Sequence, residues 1–193
     1  MKNKVAKILI IVGLLVCVGS LSIKGYSKYL ETKSTKNFEK QIDNNSSETK
    51  KDDFSNVKAG DEIAIINIPA INLNTVVVES IEKQYLNHYV CHFENSAMPG
   101  EYGNFSLAGH SSYRYNEVFN EAHNIKLEDE IIIKTLNNEF TYIVKEIFEV
   151  NPEDTFVLDQ DNEKKELTIV TCTNKGKDRL IVKAQILEDE KDK

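Results

Sequence analysis

The chain has 193 residues, of which 40% are hydrophobic and 28% charged, so it fits one globular domain with appendages. The formal net charge is −7, and no basic patch interleaved with aromatic residues occurs, which argues against a nucleic-acid-binding protein.

The first residues carry the pattern of a membrane anchor. Three lysines among the first seven residues precede an uncharged run from Ile8 to Ile23, and Lys24 follows it. A basic segment before an apolar one is typical of an export signal whose N-terminus stays in the cytoplasm. The run is slightly short for a membrane span, and snorkelling by Lys7 and Lys24 would lengthen it. No Ala-x-Ala cleavage site is evident, so we predict an uncleaved single-pass anchor over residues 1–25 rather than a cleaved signal peptide.

Residues 26–56 are polar and mix both signs of charge with Asn, Ser and Thr. Such a composition does not bury a hydrophobic core. We therefore predict a linker or stalk, partly helical near the membrane, that places a folded domain of residues 57–190 outside the cell.

The patterns of that domain are mostly those of β-strands. Apolar or alternating runs bounded by turn residues predict strands at Glu62–Ile68, Leu73–Val78, Phe105–Ala108, Glu130–Leu136, Phe140–Val150, Leu167–Thr173 and Leu180–Leu187. Short helices are predicted at Ser80–Asn87 and Tyr115–Ala122, and a long polar loop at Asn151–Lys165. Many short strands with few helices predict an all-β fold, closed or nearly closed into a barrel.

Cys172 is the candidate nucleophile. It lies near the end of the run Leu167–Thr173, so a strand would present its thiol at an edge rather than within a core. A thiolate attacks carbonyl groups well, and a nearby cation favours that ionised form. The alternatives are a buried strand cysteine, or a disulfide with Cys91, which an exported setting permits.

His110 is the candidate acid–base residue. It follows Gly109 just past a predicted strand, and acyl transfer needs a group that protonates a leaving amine and later deprotonates an incoming nucleophile. His88 and His123 fall in polar or helical segments, where surface placement is the better interpretation. His92 precedes a Pro-Gly turn and remains a competitor.

Arg179 is the candidate oxyanion or substrate clamp. A guanidinium is always charged and offers several donors in one plane. Arg114 and Arg179 are the only arginines in the chain, which favours a specific task for Arg179. The alternative is a strand-edge arginine paired with Asp178 or another acid.

Four segments together resemble the motifs of the sortases, in the same order along the chain. They are Ser96–Asn104 (SAMPGEYGN), Asn104–His110 (NFSLAGH), Thr168–Cys172 (TIVTC) and Arg179–Val182 (RLIV). Ile169 stands where the family usually has leucine, and Cys91 has no counterpart in the family's catalytic pattern.

The resemblance implies an eight-stranded sortase-type β-barrel preceded by one transmembrane helix, and a cysteine transpeptidase of the class A, D or E anchoring type. Cys172 would attack the threonine carbonyl of an LPXTG-like sorting motif near the C-terminus of a secreted protein. His110 would protonate the leaving amine, and Arg179 would stabilise the oxyanion or position the peptide. An amine of a peptidoglycan precursor would then accept the acyl group.

Further site residues are implied less directly. Substrate contacts are expected at Ala108, Ser111, Thr171 and His92, and the loop Asn151–Lys165 is the candidate for motif selection. No cofactor is required, but calcium binding, known in some relatives, would involve the acids Glu128, Asp129, Glu130, Glu153 and Asp154. A solvated acidic loop is the alternative.

Two other kinds of protein stay open. A secreted papain-like cysteine peptidase generally places its cysteine before its histidine, the reverse of the order here. An anchored, non-catalytic binding module would join Cys91 and Cys172 in a structural disulfide, so two free thiols would exclude it.

Overall fold

The computed structural model describes residues 2–45, 51–111, 118–173 and 176–186. Within the first helix, side chains are described for residues 4–15 and 25–44. The predicted helix Tyr115–Ala122 lies partly outside these ranges, as does Leu187 at the end of the last predicted strand.

Eight strands form a closed barrel, as predicted. Their order around the barrel is β1-β2-β3-β4-β7-β8-β6-β5, and pairing of β5 with β1 closes it. The helices and strands are α1 Lys2–Asn45, β1 Glu62–Ile68, β2 Leu73–Glu79, α2 Lys83–Leu86, β3 Val90–His92, β4 Gly103–Ala108, β5 Glu130–Lys134, β6 Glu139–Val150, β7 Lys165–Thr173 and β8 Asp178–Ile186.

Bulky side chains fill the inside of the barrel. Phe105 and Leu107 of β4, Tyr142 of β6, and Leu167 and Ile169 of β7 are at most 1% exposed. Their alternation along each strand follows the two-residue period that sends every second side chain inward. Burial of each of these side chains stabilises the fold by about 1.5–3 kcal/mol. Because they fill the interior, the barrel encloses a packed core.

Two parallel strand pairs interrupt the otherwise antiparallel barrel. β2 pairs with β3 in parallel, and β4 pairs with β7 in parallel. β4 and β7 therefore end at the same rim of the barrel, where β8, antiparallel to β7, begins. This arrangement brings the end of β4 beside the turn between β7 and β8, which lies more than 60 residues later in the sequence.

Strand β3 was not predicted. It has three residues, Val90–His92, and all three are buried. A strand this short has no detectable periodicity, and its formation depends on pairing with β2 on one side and β4 on the other.

The predicted linker is more ordered than its composition indicates. α1 continues to Asn45, and its second half packs against the barrel, burying Ser27, Glu31, Thr35 and Phe38. These positions recur every three or four residues and so share one face of the helix. Phe38 packs with side chains of β1 and β2. The segment is thus helical over most of its length and packs one face on the barrel, with Phe38 and partly buried Ile42 as its apolar contacts.

The first half of α1 contains the predicted membrane anchor. Val5, Ile8 to Val12, Leu14 and Leu15 are each more than half exposed. Among the described residues, no helical stretch is both long and apolar enough to cross a membrane. Side chains 16–24 of the predicted run lie outside the described set.

Docking of α1 depends on Phe38, which is 2% exposed. We expect Phe38→Ala to cost roughly 3 kcal/mol of docking free energy, because it removes a buried ring and leaves a cavity. Amide hydrogen exchange over residues 27–42 should then lose about a hundredfold of its protection. Lys36→Ala, on the exposed face of the same helix, is the matched control. Unchanged protection in Phe38→Ala would show that the helix is not held by this contact.

Candidate active site

Cys172 and Arg179 face each other across two neighbouring strands. They are directly opposite in the antiparallel register of β7 and β8. Residues in such a pair project from the same face of the sheet, with their Cβ atoms about 4.5–5.5 Å apart. Cys172 is partly exposed, so its thiol reaches solvent beside the arginine.

His110 follows β4 on the other side of β7. Ala108 pairs with Val170 in the parallel register, so two further residues on each strand bring His110 level with Cys172. The pairing continues beyond the end of β4, because Gly109 N donates to Val170 O at 3.3 Å. β7 thus lies between the strands that supply the other two predicted catalytic residues.

Two side chains brace the strand ends that carry His110 and Cys172. Thr171 Oγ1 donates to Gly109 O at 2.8 Å, and Ser111 Oγ donates to Cys172 O. Each bond joins a side chain of one segment to the backbone of the other. Thr171 is 2% exposed and Ala108 is 9% exposed, so both residues are largely buried. Sequence analysis missed the bracing role of Thr171 and Ser111.

Gly109 allows a close approach that shapes the site. A Cβ atom at this position would lie 2.6 Å from the ring of Phe119. Phe119 N also donates to His110 O at 3.1 Å, so the chain returns over the histidine segment and holds its backbone. A glycine before a candidate histidine is the sequence signal for this contact.

His110 is half-buried, and this burial lowers the pKa of its imidazole below the ordinary value of 6.5. Removal of water disfavours the charged form of a histidine. The neutral imidazole, which can accept a proton, is therefore favoured near pH 7.

The turn between β7 and β8 orients the Arg179 guanidinium. Nη1 donates to Gly176 O at 3.2 Å and to Asp178 O at 3.3 Å. Both bonds go to backbone carbonyls, which position the guanidinium without neutralising its charge. A guanidinium has five N–H donors, which suits it to stabilise an oxyanion beside Cys172.

His92, also expected to contact the substrate, is part of an internal network. The side chain is fully buried. Its Nδ1 is 2.6 Å from Glu79 Oε2, and its Nε2 is 2.8 Å from Ser96 Oγ and 3.1 Å from Ala97 O. Both ring nitrogens are therefore engaged in an internal network that ties β2 and β3 to the turn after β3.

Only the first part of the β6–β7 loop, Asn151–Lys164, approaches the candidate site. β6 ends at Val150, which pairs with Arg179. The loop then crosses to the opposite rim, where Gln160 Oε1 accepts from Asn104 N at 2.9 Å. Seven strand residues, roughly 23 Å, separate Lys165 from Cys172 along β7. The second half of the loop is held at the opposite rim, and a role of the first half in a peptide groove stays a prediction.

Asn104 anchors the second half of that loop and was not singled out in the sequence. It is fully buried on β4, and its Nδ2 donates to Val157 O at 3.0 Å and to Asp159 O at 3.2 Å. Its Oδ1 accepts from Thr168 Oγ1 at 2.7 Å. A polar residue within an apolar strand was the available signal.

Cys91 does not interfere with Cys172. It is fully buried, and burial, followed by the nearby Glu79 carboxylate, raises the pKa of its thiol to about 12. Cys91 pairs with Ala108, which pairs with Val170, so two strand spacings of about 4.8 Å already separate it from β7. A disulfide needs Cα atoms within about 7 Å. Both thiols are free, and the predicted alternative of a Cys91–Cys172 disulfide is wrong.

Three of the five acids considered for calcium, Glu128, Asp129 and Asp154, have protein partners. Glu128 lies 3.0 Å from Lys145 Nζ, and the Asp154 carboxylate accepts from Asn151 N at 2.9 Å. In the part of the chain that the structure describes, no three His, Cys, Asp or Glu side chains gather where a metal ion could bind.

Comparison with known proteins points to one family. Residues 66–187 match the family model of the sortase domain. Sortase A of Bacillus anthracis is 34% identical over 113 residues, which are 58% of this chain and 52% of that protein. Sortase D of Bacillus subtilis (strain 168) is 30% identical over 115 residues, which are 60% of this chain and 56% of that protein. The chain thus spans about half the length of the curated relatives it matches.

The fold of the barrel is also shared with solved structures. The structure of a Clostridium perfringens Sortase D5 transpeptidase matches with a TM-score of 0.75 at 46% sequence identity. The match covers 82% of this chain and 99% of that one. It therefore extends beyond the barrel into residues that precede β1.

The two barrel thiols should differ in reactivity. In a Cys17→Ser background at pH 7.5, we expect iodoacetamide to modify Cys172, while burial and the raised pKa protect Cys91. Mass spectrometry after digestion reports the modified sites, and both cysteines should react in denaturant. Native Cys172→Ala should show no labelling in the barrel. Comparable labelling of Cys91 in the native protein would contradict its placement in the core.

The imidazole of His110 should have a pKa below the ordinary histidine value of 6.5. We expect the NMR midpoint of its imidazole to lie below 6.5, because burial disfavours the cation. Below that pH the unfolded chain takes up the proton first, so His110 lowers stability as pH falls toward its folded pKa. His110→Ala should reduce the slope of Tm against pH in this acidic range. A midpoint at or above 6.5 would contradict this account.

Proposed function

The chain belongs to the sortase family, and on this basis we propose that it is a cysteine transpeptidase that cleaves an LPXTG-like sorting motif. The acyl group would pass to an amine of a peptidoglycan precursor. One observation carries the proposal. The parallel pairing of β4 with β7 and the antiparallel pairing of β7 with β8 bring His110, Cys172 and Arg179 to one rim of the barrel.

Cys172 is the nucleophile of the proposed reaction. Its thiolate attacks the carbonyl carbon of the motif's threonine and forms a C–S bond, while the carbonyl oxygen takes up the negative charge. Arg179 donates hydrogen bonds to that oxyanion from the opposite strand position. Its charge supports the thiolate beforehand and the oxyanion afterwards.

His110 moves the protons. In its imidazolium form it donates a proton to the nitrogen of the scissile amide as the C–N bond breaks, which leaves a thioester on Cys172. The acceptor amine then attacks the thioester carbonyl, His110 removes a proton from that amine, and the Cys172 thiolate leaves. Since burial lowers the pKa of His110, the imidazolium partner of the thiolate is a minority form at neutral pH.

The braces support this chemistry by holding the reacting groups in place. Thr171 and Ser111 tie the residues on either side of His110 to β7, through Gly109 O and Cys172 O, so neither segment has to become ordered during the reaction. Contact of Ser111, Thr171 or Ala108 with the peptide itself remains a prediction. The first half of the β6–β7 loop, next to Arg179, is the candidate for reading the motif.

The proposed location is the cell membrane, with the N-terminus in the cytoplasm and the barrel outside. The support is the lysine-rich start followed by the uncharged run Ile8–Ile23. The described apolar side chains from Val5 to Leu15 are exposed, as expected of a helix that lipid would surround. Secreted proteins with sorting signals are the proposed partners. A binding module with a disulfide is disfavoured because both barrel thiols are free.

Activity is tested with a library of sorting-motif peptides and a small amine acceptor, with products identified by mass spectrometry. We expect Cys172→Ala to abolish both cleavage and the amine adduct. His110→Ala should lose about 10²–10⁴-fold, and Arg179→Ala about 10²–10³-fold. Cys91→Ala is the matched thiol control and should retain activity.

Two results would contradict the proposal. Cleavage by Cys172→Ala would remove the nucleophile assignment. Cleavage by the unmodified chain that gives only the hydrolysed acid, even at high amine concentration, would indicate a peptidase rather than a transpeptidase.

A further inference from the structure

The second half of α1 runs antiparallel along β2. Thr35 Oγ1 accepts from Val76 N at 3.1 Å, and Glu39 Oε1 accepts from Asn74 Nδ2 at 2.9 Å. Four helical residues rise about 6 Å, and two strand residues rise about 6.6 Å. The helix and the strand thus advance by nearly the same distance between the two contacts, while residue numbers rise along α1 and fall along β2. The two elements are therefore nearly aligned and opposite in direction.

The contact continues toward the N-terminal side of α1. Ser27 Oγ lies 2.9 Å from His88 Nδ1, in the segment that follows β2. From Ser27 to Glu39 the docked helix measures about 18 Å. Buried Glu31 and Phe38 lie between these ends, so the contact is a long seam rather than a single point.

The direction of α1 relative to the rim with the proposed catalytic residues follows from the strand pairs that lie between them. α1 is antiparallel to β2, β2 is parallel to β3, β3 is antiparallel to β4, and β4 is parallel to β7. β4 and β7 therefore run in the same sense as α1. Cys172 near the end of β7, His110 after β4, and Arg179 at the start of β8 all lie at the rim toward which the C-terminus of α1 points.

We propose that α1 is a rigid strut that holds the catalytic rim facing away from a lipid bilayer. The inference rests on the proposed function for the membrane anchor but not for catalysis. The helix is continuous from Lys2 to Asn45, with exposed apolar side chains at one end and the docked seam at the other. A peptide substrate must then reach Cys172 from the side of the barrel away from the lipid surface.

The strut is tested by measuring the height of the rim above a bilayer. The full chain with Cys17→Ser is reconstituted in phosphatidylcholine vesicles, with a donor dye on Cys172 and acceptor-labelled lipids. Seven helix-forming residues inserted after Lys24 add nearly two turns, so the docked face keeps its direction. We expect the donor–bilayer distance to grow by about 10 Å. A seven-residue Gly/Ser insertion is the matched control and should broaden the distance distribution instead.

A second pair of variants tests the seam itself. Phe38→Asp places a charge in the buried contact and should broaden the distribution as the Gly/Ser insertion does. Lys36→Asp, on the exposed face, should leave the distance unchanged.

Each outcome decides one point. Equal distances for the helical and Gly/Ser insertions, or an unaltered distribution in Phe38→Asp, would show a flexible tether and overturn the strut. Failure of the chain to float with vesicles would overturn both the anchor and the strut. Loss of peptide cleavage in the separate activity assay would overturn the proposed activity and leave the measured distances standing.

Discussion

The parallel pairing of β4 with β7 is the constraint on which the rest of the site depends. Parallel neighbours cannot be joined by a tight turn, so the chain between them makes a long excursion that contains β5 and β6. That excursion closes the barrel and returns β7 beside β4 with both strands ending at one rim. β8 then turns back from this rim with Arg179 opposite Cys172. Register therefore sets the geometry of the candidate site, and a slip of one residue would send the thiol to the other face of the sheet.

Hydrogen bonds from polar side chains hold the backbone at both rims of the barrel. The regular ladder between β4 and β7 ends just past Ala108, and there Thr171 and Ser111 supply hydrogen bonds from side chain to backbone. The opposite rim is held in a similar way by Asn104, which fastens the second half of the β6–β7 loop. The second half of the loop is thus fixed at the opposite rim, while its first half lies near Arg179.

The same barrel separates two thiols by environment. Cys91 and Cys172 belong to neighbouring regions of one sheet, yet one is enclosed in the core with a pKa of about 12 and the other reaches solvent beside an arginine. His92 and His110 are separated in the same way. His92 has both nitrogens engaged in an internal network, whereas half-buried His110 has its pKa lowered and stands level with Cys172. Residue type alone does not distinguish the members of either pair.

The sequence by itself determined the strands, the barrel class and the residues with chemistry to offer. The period of two in the apolar runs, together with the turns between them, placed seven of the eight strands, and the motifs around His110, Cys172 and Arg179 indicated the family. Only the tertiary structure decided how these residues meet. β3 is too short for a periodic signal. Apart from Phe38, the contact face of α1 is formed mostly by Ser, Thr and Glu, which resemble solvent-exposed residues. Cys91 and His92 are buried because β3 is paired on both sides. These features arise from contacts between distant segments, which local pattern does not encode.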